Sequence, residues 1–161
     1  MAKEIRLDQI GAHMEGQVEK LLRKTVLEAD SRLKQASPVD LGRFRNSWAI
    51  GQNAAPFDGQ EEGDYRNKQP QVIRANYGTE KLGNYYSIHN NLPYAEKLAY
   101  AQGGSGKKQE KRYKPNREVT NWAKPGQGSS HQTNGPGWID LINNDLRDYV
   151  KAEYERIKRQ S

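Results

Sequence analysis

Apolar residues recur at three- and four-residue steps from Leu7 to Ala36, at Leu7, Ile10, Met14, Val18, Leu21, Thr25, Ala29, Leu33 and Ala36, with Lys, Arg, Glu and Gln over the other faces. That period predicts an amphipathic α-helix of about eight turns, stopping near Ser37 because Pro38 disfavours helical geometry in the residue before it. A stripe of that length needs a sheet or a neighbouring subunit to cover it. A second stripe, Trp138, Leu141, Ile142, Leu146, Tyr149, Val150, Glu153 and Ile157, predicts another amphipathic helix.

Between the two stripes the pattern shortens. Asp40 is placed to cap a short helix through Ser47 by accepting from its free amides, and Trp48 to Gly51 reads as a strand. Residues 53–70 are polar and rich in Gly, Asp and Glu, as in a loop or a hairpin tip. Gln71 to Tyr77 alternates with Ile73, Ala75 and Tyr77 on one face, and Tyr85 to Asn91 alternates with Tyr86 and Ile88. These two segments are predicted to pair with each other across a turn at Gly78 to Gly83. Pro93 to Tyr100 is helix-compatible, with Pro93 at a permitted first position. From Ala101 to Gly137 no period survives, only Gly, Ser, Lys, Asn, Pro and Gln; a stretch so long belongs to an arm or binding loop that orders against something else. No repeat is visible, which removes solenoids and propellers. The fold class expected is α+β, one domain over residues 1–161. Long N-terminal and C-terminal helices pack on a small, mostly antiparallel sheet, with an irregular basic arm at 101–137.

Composition sharpens this picture. Only 34% of the 161 residues are hydrophobic and 29% are charged, so the core is thin for the length and much of the chain faces solvent or partners. That balance favours an assembly subunit over a compact enzyme. No window nears the roughly 18 apolar residues of a membrane span, and Met1-Ala2-Lys3-Glu4 opens no apolar signal-peptide run, so a soluble cytosolic product without a membrane partner is expected. The absence of cysteine excludes disulfides, thiolate nucleophiles and sulfur-ligated metal.

The net charge of +6 is concentrated. Lys107, Lys108, Lys111, Arg112, Lys114 and Arg117 stand against the single acid Glu110, a local net of +5 that leaves the rest nearly neutral. Phosphate contact by these residues would be independent of sequence and sensitive to salt, with Tyr113 as the one aromatic able to stack on a base. A solvated arm, pairing with acids of another subunit, and contact with DNA in a channel all fit this run. Gly103-Gly104-Ser105-Gly106 before it is a hinge by composition.

Catalytic signals are missing. There is no phosphate loop, no His-Glu-x-x-His, no calcium loop and no Gly-x-Ser-x-Gly elbow. His13, His89 and His131 stand apart without ligand spacing and read as structural or solvated. Glu61, Glu62 and Asp64 could in principle serve a divalent cation, but they sit in a Gly-bounded loop where solvated charge is the simpler reading. No catalytic residue, cofactor or metal site is expected, and the chain is not expected to be an enzyme.

The run Ser37-Pro38-Val39-Asp40-Leu41-Gly42-Arg43-Phe44-Arg45-Asn46-Ser47-Trp48 resembles the Ser-Pro-Val-Asp-Thr-Gly-x-Leu-x-x-Ser-Trp signature of the neck and tail-completion family of tailed bacteriophages, which includes lambda tail-completion protein Z-like members. Ile88-His89-Asn90-Asn91-Leu92-Pro93-Tyr94-Ala95-Glu96-Lys97-Leu98-Ala99-Tyr100 follows in the expected order and resembles the family's Asn-x-x-Pro-Tyr-Ala-x-x-Leu-Glu-x-Gly segment, and Ser130 to Ile139 resembles its entry to the last helix. Leu41 replaces the family's Thr, Ala99-Tyr100-Ala101 replaces an acid before glycine, and residues from about Gln102 to Gln127 are an insertion. The motif residues Ser37, Pro38, Val39, Asp40, Gly42, Arg43, Ser47, Trp48, Asn91, Pro93, Tyr94 and Ala95 fit a scaffold. Pro38 breaks the long helix, Gly42 permits close packing and Tyr94 anchors a corner.

The resemblance implies a virion component that forms a homo-oligomeric ring at the head-tail neck, is assembled in the host cytoplasm, and has portal or adaptor and tail proteins as partners. The packaged DNA is a further candidate partner for the arm. Helix one and the last helix are expected to carry the subunit contact, and the arm to bridge to a different protein. The rival readings are a tail terminator or head-closure subunit and, from another class, a small basic DNA-binding protein.

Overall fold

The computed structural model describes residues 6–37, 41–53, 57–99 and 138–160. A 3-10 turn, Leu7–Gln9, leads into helix α1, Ile10–Ala36. Then come a single helical turn α2, Arg43–Asn46, strand β1, Ala49–Gln52, strand β2, Arg74–Ala75, strand β3, Tyr86–His89, a short helix α3, Ala95–Ala99, and helix α4, Trp138–Gln160. The fold is α+β, with two long helices and a small mixed three-stranded sheet. The expected arm at 101–137 and its basic residues lie outside the described residues.

Helix α1 stops where Ser37 turns extended, at φ −62° and ψ 134°, the geometry that a following proline imposes. The hydroxyl of Ser37 donates to the Leu33 carbonyl at 2.6 Å and accepts the indole N–H of Trp48 at 2.7 Å, so a buried relay ties the end of α1 to the chain entering β1. Trp48 also meets Phe44 edge-on, with ring centroids 5.5 Å apart. The cap position of α2 is held by Gly42 and not by Asp40, which lies outside the described residues. Gly42 has φ +75°, and a Cβ there would come within 2.8 Å of the Tyr65 backbone carbonyl, so this corner requires glycine twice over.

The sheet departs from the expected pairing. Strands β2 and β3 do not pair with each other; β1 lies between them, parallel to β2 through Ile50↔Arg74 and Gly51↔Ala75, and antiparallel to β3 from Ala49↔His89 to Gln52↔Tyr86. The expected mostly antiparallel sheet is therefore mixed. Two strands that flank a third sit roughly 10 Å apart, twice the interstrand spacing. The ten residues between Ala75 and Tyr86 span that gap easily, whereas a tight hairpin turn could not. Central placement also satisfies β1, whose Ala49 and Ile50 are fully buried and whose backbone groups need partners on both edges.

The core joins Leu33 and Ala36 of α1, Phe44, Trp48, Leu92, Ala95, and Trp138 and Ile142 of α4. Trp138 is completely buried and its indole N–H donates to the Leu98 carbonyl at 3.2 Å, fixing the start of α4 against α3. Ser37→Ala would leave the buried Trp48 indole N–H without its acceptor, and urea unfolding should show a loss of about 1–3 kcal/mol. A loss within about 0.5 kcal/mol, the range of ordinary surface changes, would contradict this role for the hydroxyl.

Candidate assembly surface

Helices α1 and α4 run antiparallel. Arg32 pairs with Asp145 at 3.7 Å and stacks over the Tyr149 ring, and eight residues earlier Lys24 pairs with Glu153, eight residues further along α4. Continuing that register puts Gln160, the last residue of α4, level with about residue 17 of α1. The first turns of α1 and the preceding 3-10 turn thus run past the end of α4 by roughly 15 Å.

This overhang explains the uneven fate of the long stripe. In its second half Val26, Ala29, Leu33 and Ala36 are buried. In its first half Leu7 is 89% exposed, Met14 56%, Ile10 44% and Val18 41%. The spacing is the same in both halves, so only cover distinguishes them. Asp8 and Glu15 directly follow Leu7 and Met14 and are exposed; Glu19 follows Val18 and accepts the Leu82 backbone N–H at 3.3 Å.

A second incompletely covered surface lies on α4. Asn143, Leu146, Arg147, Val150 and Lys151 line an open groove of about 350 Å³. Leu146 and Val150, two members of the predicted stripe, are only partly buried there, while Trp138, Ile142 and Ile157 face the core. Exposed Tyr154 continues the same face at helical spacing.

Charge is also buried inside the fold, which the sequence did not announce. Glu80 is fully buried; its Oε1 accepts from Arg74 Nε and from the Tyr77 hydroxyl, both at 3.0 Å, and its Oε2 faces Arg23 at 3.8 Å. Burial pushes Glu80 up, but the bonds from Arg74, the backbone and Tyr77 outweigh it and leave the carboxyl below its ordinary range. The same contacts run the other way for Tyr77, whose hydroxyl is raised by burial and by the Glu80 charge. Two to three turns further along α1, Lys34 Nζ donates to Asp30 Oδ2 and to the Gln71 carbonyl, both at 2.7 Å. Burial raises Asp30 against that ion pair.

Both oxygens of Glu80 are occupied, and a carboxylate held below its usual range is a weaker base, so this cluster serves to bind α1 to β2 and the following loop. The only forward signals were the four-residue spacing of Asp30 and Lys34 and the three-residue spacing of Arg74, Tyr77 and Glu80. Both patterns are common on solvated surfaces.

Several of the described motif residues make hydrogen bonds that hold the fold. Ser37 and Trp48 form the relay described above. The Ser47 hydroxyl donates to the Arg43 carbonyl at 2.8 Å and accepts the Gln60 N–H at 3.0 Å, while Arg43 Nε donates to the Gln60 carbonyl at 2.8 Å. Asn91 donates to the Phe57 carbonyl at 2.9 Å. Pro93 and Tyr94 form the turn into α3, and Ala95 is buried at its start. Pro38, Val39 and Asp40 lie outside the described residues, as do Lys107, Lys108, Lys111, Arg112, Tyr113, Lys114 and Arg117.

The acidic loop does not converge: Glu62 faces Arg43 at 3.7 Å, and Asp64 is held at about 2 by its bonds from Arg66. Among the described residues no group of three or more His, Asp or Glu could hold a metal, and no helix is long and apolar enough to cross a membrane. His13 sits on α1 beside Gln17, His89 sits on β3, and His131 lies outside the described residues. The chain matches no protein-family model, no curated protein and no solved structure.

Glu80→Gln would strip the charge that Arg74 and Arg23 share. Urea unfolding should show a loss of about 2–3 kcal/mol, below the usual cost of breaking a buried pair because Arg74 keeps some solvent contact; an unchanged midpoint would contradict the structural role. Burial also depresses His89, outweighing the opposing hydrogen bond with the Ser87 backbone. Its folded pKa lies below 6.5, so the unfolded chain takes up the proton first, and the contribution present above pH 6.5 is lost as pH falls through it. The thermal midpoint should therefore drop between about pH 7.5 and about pH 5.5, and His89→Gln should flatten the slope. An equal slope in the variant would contradict this.

Proposed function

We propose that the chain is a structural subunit of a tailed-phage virion, one that oligomerises into a ring at the head-tail neck and joins or completes head and tail. The observation that carries this reading is the apolar row Leu7, Ile10, Met14 and Val18 on the 3-10 turn and first turns of α1, exposed at and beyond the end of α4. An apolar row of this length in water is a surface that association removes. A subunit with a donor edge and a separate receptor groove completes its buried area against a neighbour in a head-to-tail contact, and such contacts close into rings when the rotation allows.

Two further features support the reading. Residues Ser37 to Trp48 and Asn91 to Ala95 resemble the neck and tail-completion signature, and their hydrogen bonds hold corners of the fold without presenting a nucleophile or base. The buried charges are engaged with one another, as a rigid scaffold requires.

Deleting the gene from the phage that encodes it should yield filled heads and separate tails by electron microscopy, with infectivity restored when the chain is supplied in trans. Particles that remain joined and infectious without it would contradict the proposal.

A further inference from the structure

The overhang and the groove carry matching patterns. On the overhang each acid directly follows an apolar residue of the exposed row, Leu7-Asp8 in the 3-10 turn and Met14-Glu15 and Val18-Glu19 on α1. On α4 the two bases that line the groove directly follow its two apolar residues: Leu146-Arg147 and Val150-Lys151. Successive residues are about 100° apart around a helix, so the acidic row and the basic row lie on the same rotational side of their apolar rows. Two such helices laid face to face bring those rows together only when they run antiparallel. In the parallel arrangement the charges fall on opposite sides of the contact. With Glu15 level with Arg147 in the antiparallel arrangement, Asp8 lies three residues, roughly 5 Å, beyond Lys151, within reach of a lysine side chain.

Resting on the ring reading above, we infer that the overhang of α1 docks antiparallel into the α4 groove of a second copy of this chain. Ile10, Met14 and Val18 cover Leu146 and Val150 while Glu15 and Asp8 face Arg147 and Lys151. The contact repeats the α1–α4 packing within the subunit, where Lys24 meets Glu153 and Arg32 meets Asp145. Within the chain the charge signs are reversed, with bases on α1 and acids on α4. The intermolecular contact is thus distinguished from the intramolecular one by sign, which opposes slippage of the overhang along its own α4. The charges set orientation and the apolar rows supply most of the attraction.

Charge exchange tests this in the full chain. All four positions are exposed, so the variants Asp8→Lys/Glu15→Lys and Arg147→Glu/Lys151→Glu should keep the wild-type circular dichroism spectrum. In sedimentation velocity at low salt each variant alone should self-associate more weakly by about tenfold or more, through like-charge contact. An equimolar mixture should recover wild-type association, because the lysine-bearing overhang then meets a glutamate-bearing groove and the native overhang meets the native groove.

If the wild type associates but the groove variant associates equally well, the pairing is overturned and the ring reading stands. The overhang would then have another occupant, such as a second overhang or the basic arm. Failure of the mixture to recover overturns the pairing likewise. A wild-type chain that stays monomeric at every concentration overturns both.

Discussion

A helix of 27 residues is roughly 40 Å long, and the described residues cover only the second half of α1. Everything else in the architecture is arranged around that half. Strand β2 and the loop after it hold it by buried charge, α4 lies antiparallel along it, and the Ser37–Trp48 relay fixes the point where the chain turns back beneath it. Three different kinds of interaction meet on about four turns of helix. The first half, with the same apolar spacing, is left to water.

The buried charges make that anchoring rigid. An ion pair removed from water repays its desolvation only when geometry and further hydrogen bonds are good. Glu80 meets the condition with Arg74, Tyr77 and Arg23 around it. Asp30 meets it less fully, and burial raises its carboxyl even with Lys34 at 2.7 Å. Such contacts tolerate little sliding, so the overhang is held at a defined angle to the sheet. A projecting helix so held is suited to docking.

Helices α1 and α4 were legible in the sequence because twenty or more residues of 3.6-residue period leave little room for another reading. The sheet was not legible in its order. Its strands are two to four residues long, too short to carry register, and alternation at Gln71 to Tyr77 and Tyr85 to Asn91 indicates strands without saying which strand lies between them. Glu80 was hidden for a related reason: a glutamate between Gly78 and Gly83 looks solvated until Arg74, brought beside β1, closes over it. Gly42 was recognisable as a position of close packing, but the cap assigned to Asp40 went to Gly42, whose positive φ glycine adopts without strain. The stripe on α1 is covered along its second half and exposed along its first among the described residues. Where that cover ends depends on where α4 ends in space, which periodicity does not contain.

Hydrogen–deuterium exchange of the full chain across a concentration series bears most directly on whether the first turns of α1 are completed by another molecule. The backbone amides of residues 10–18 should exchange quickly in dilute solution, become protected as concentration rises, and leave those of residues 26–36 protected throughout. Equal protection of residues 10–18 at every concentration would mean that the chain already covers them by itself, and the overhang would not be an assembly surface.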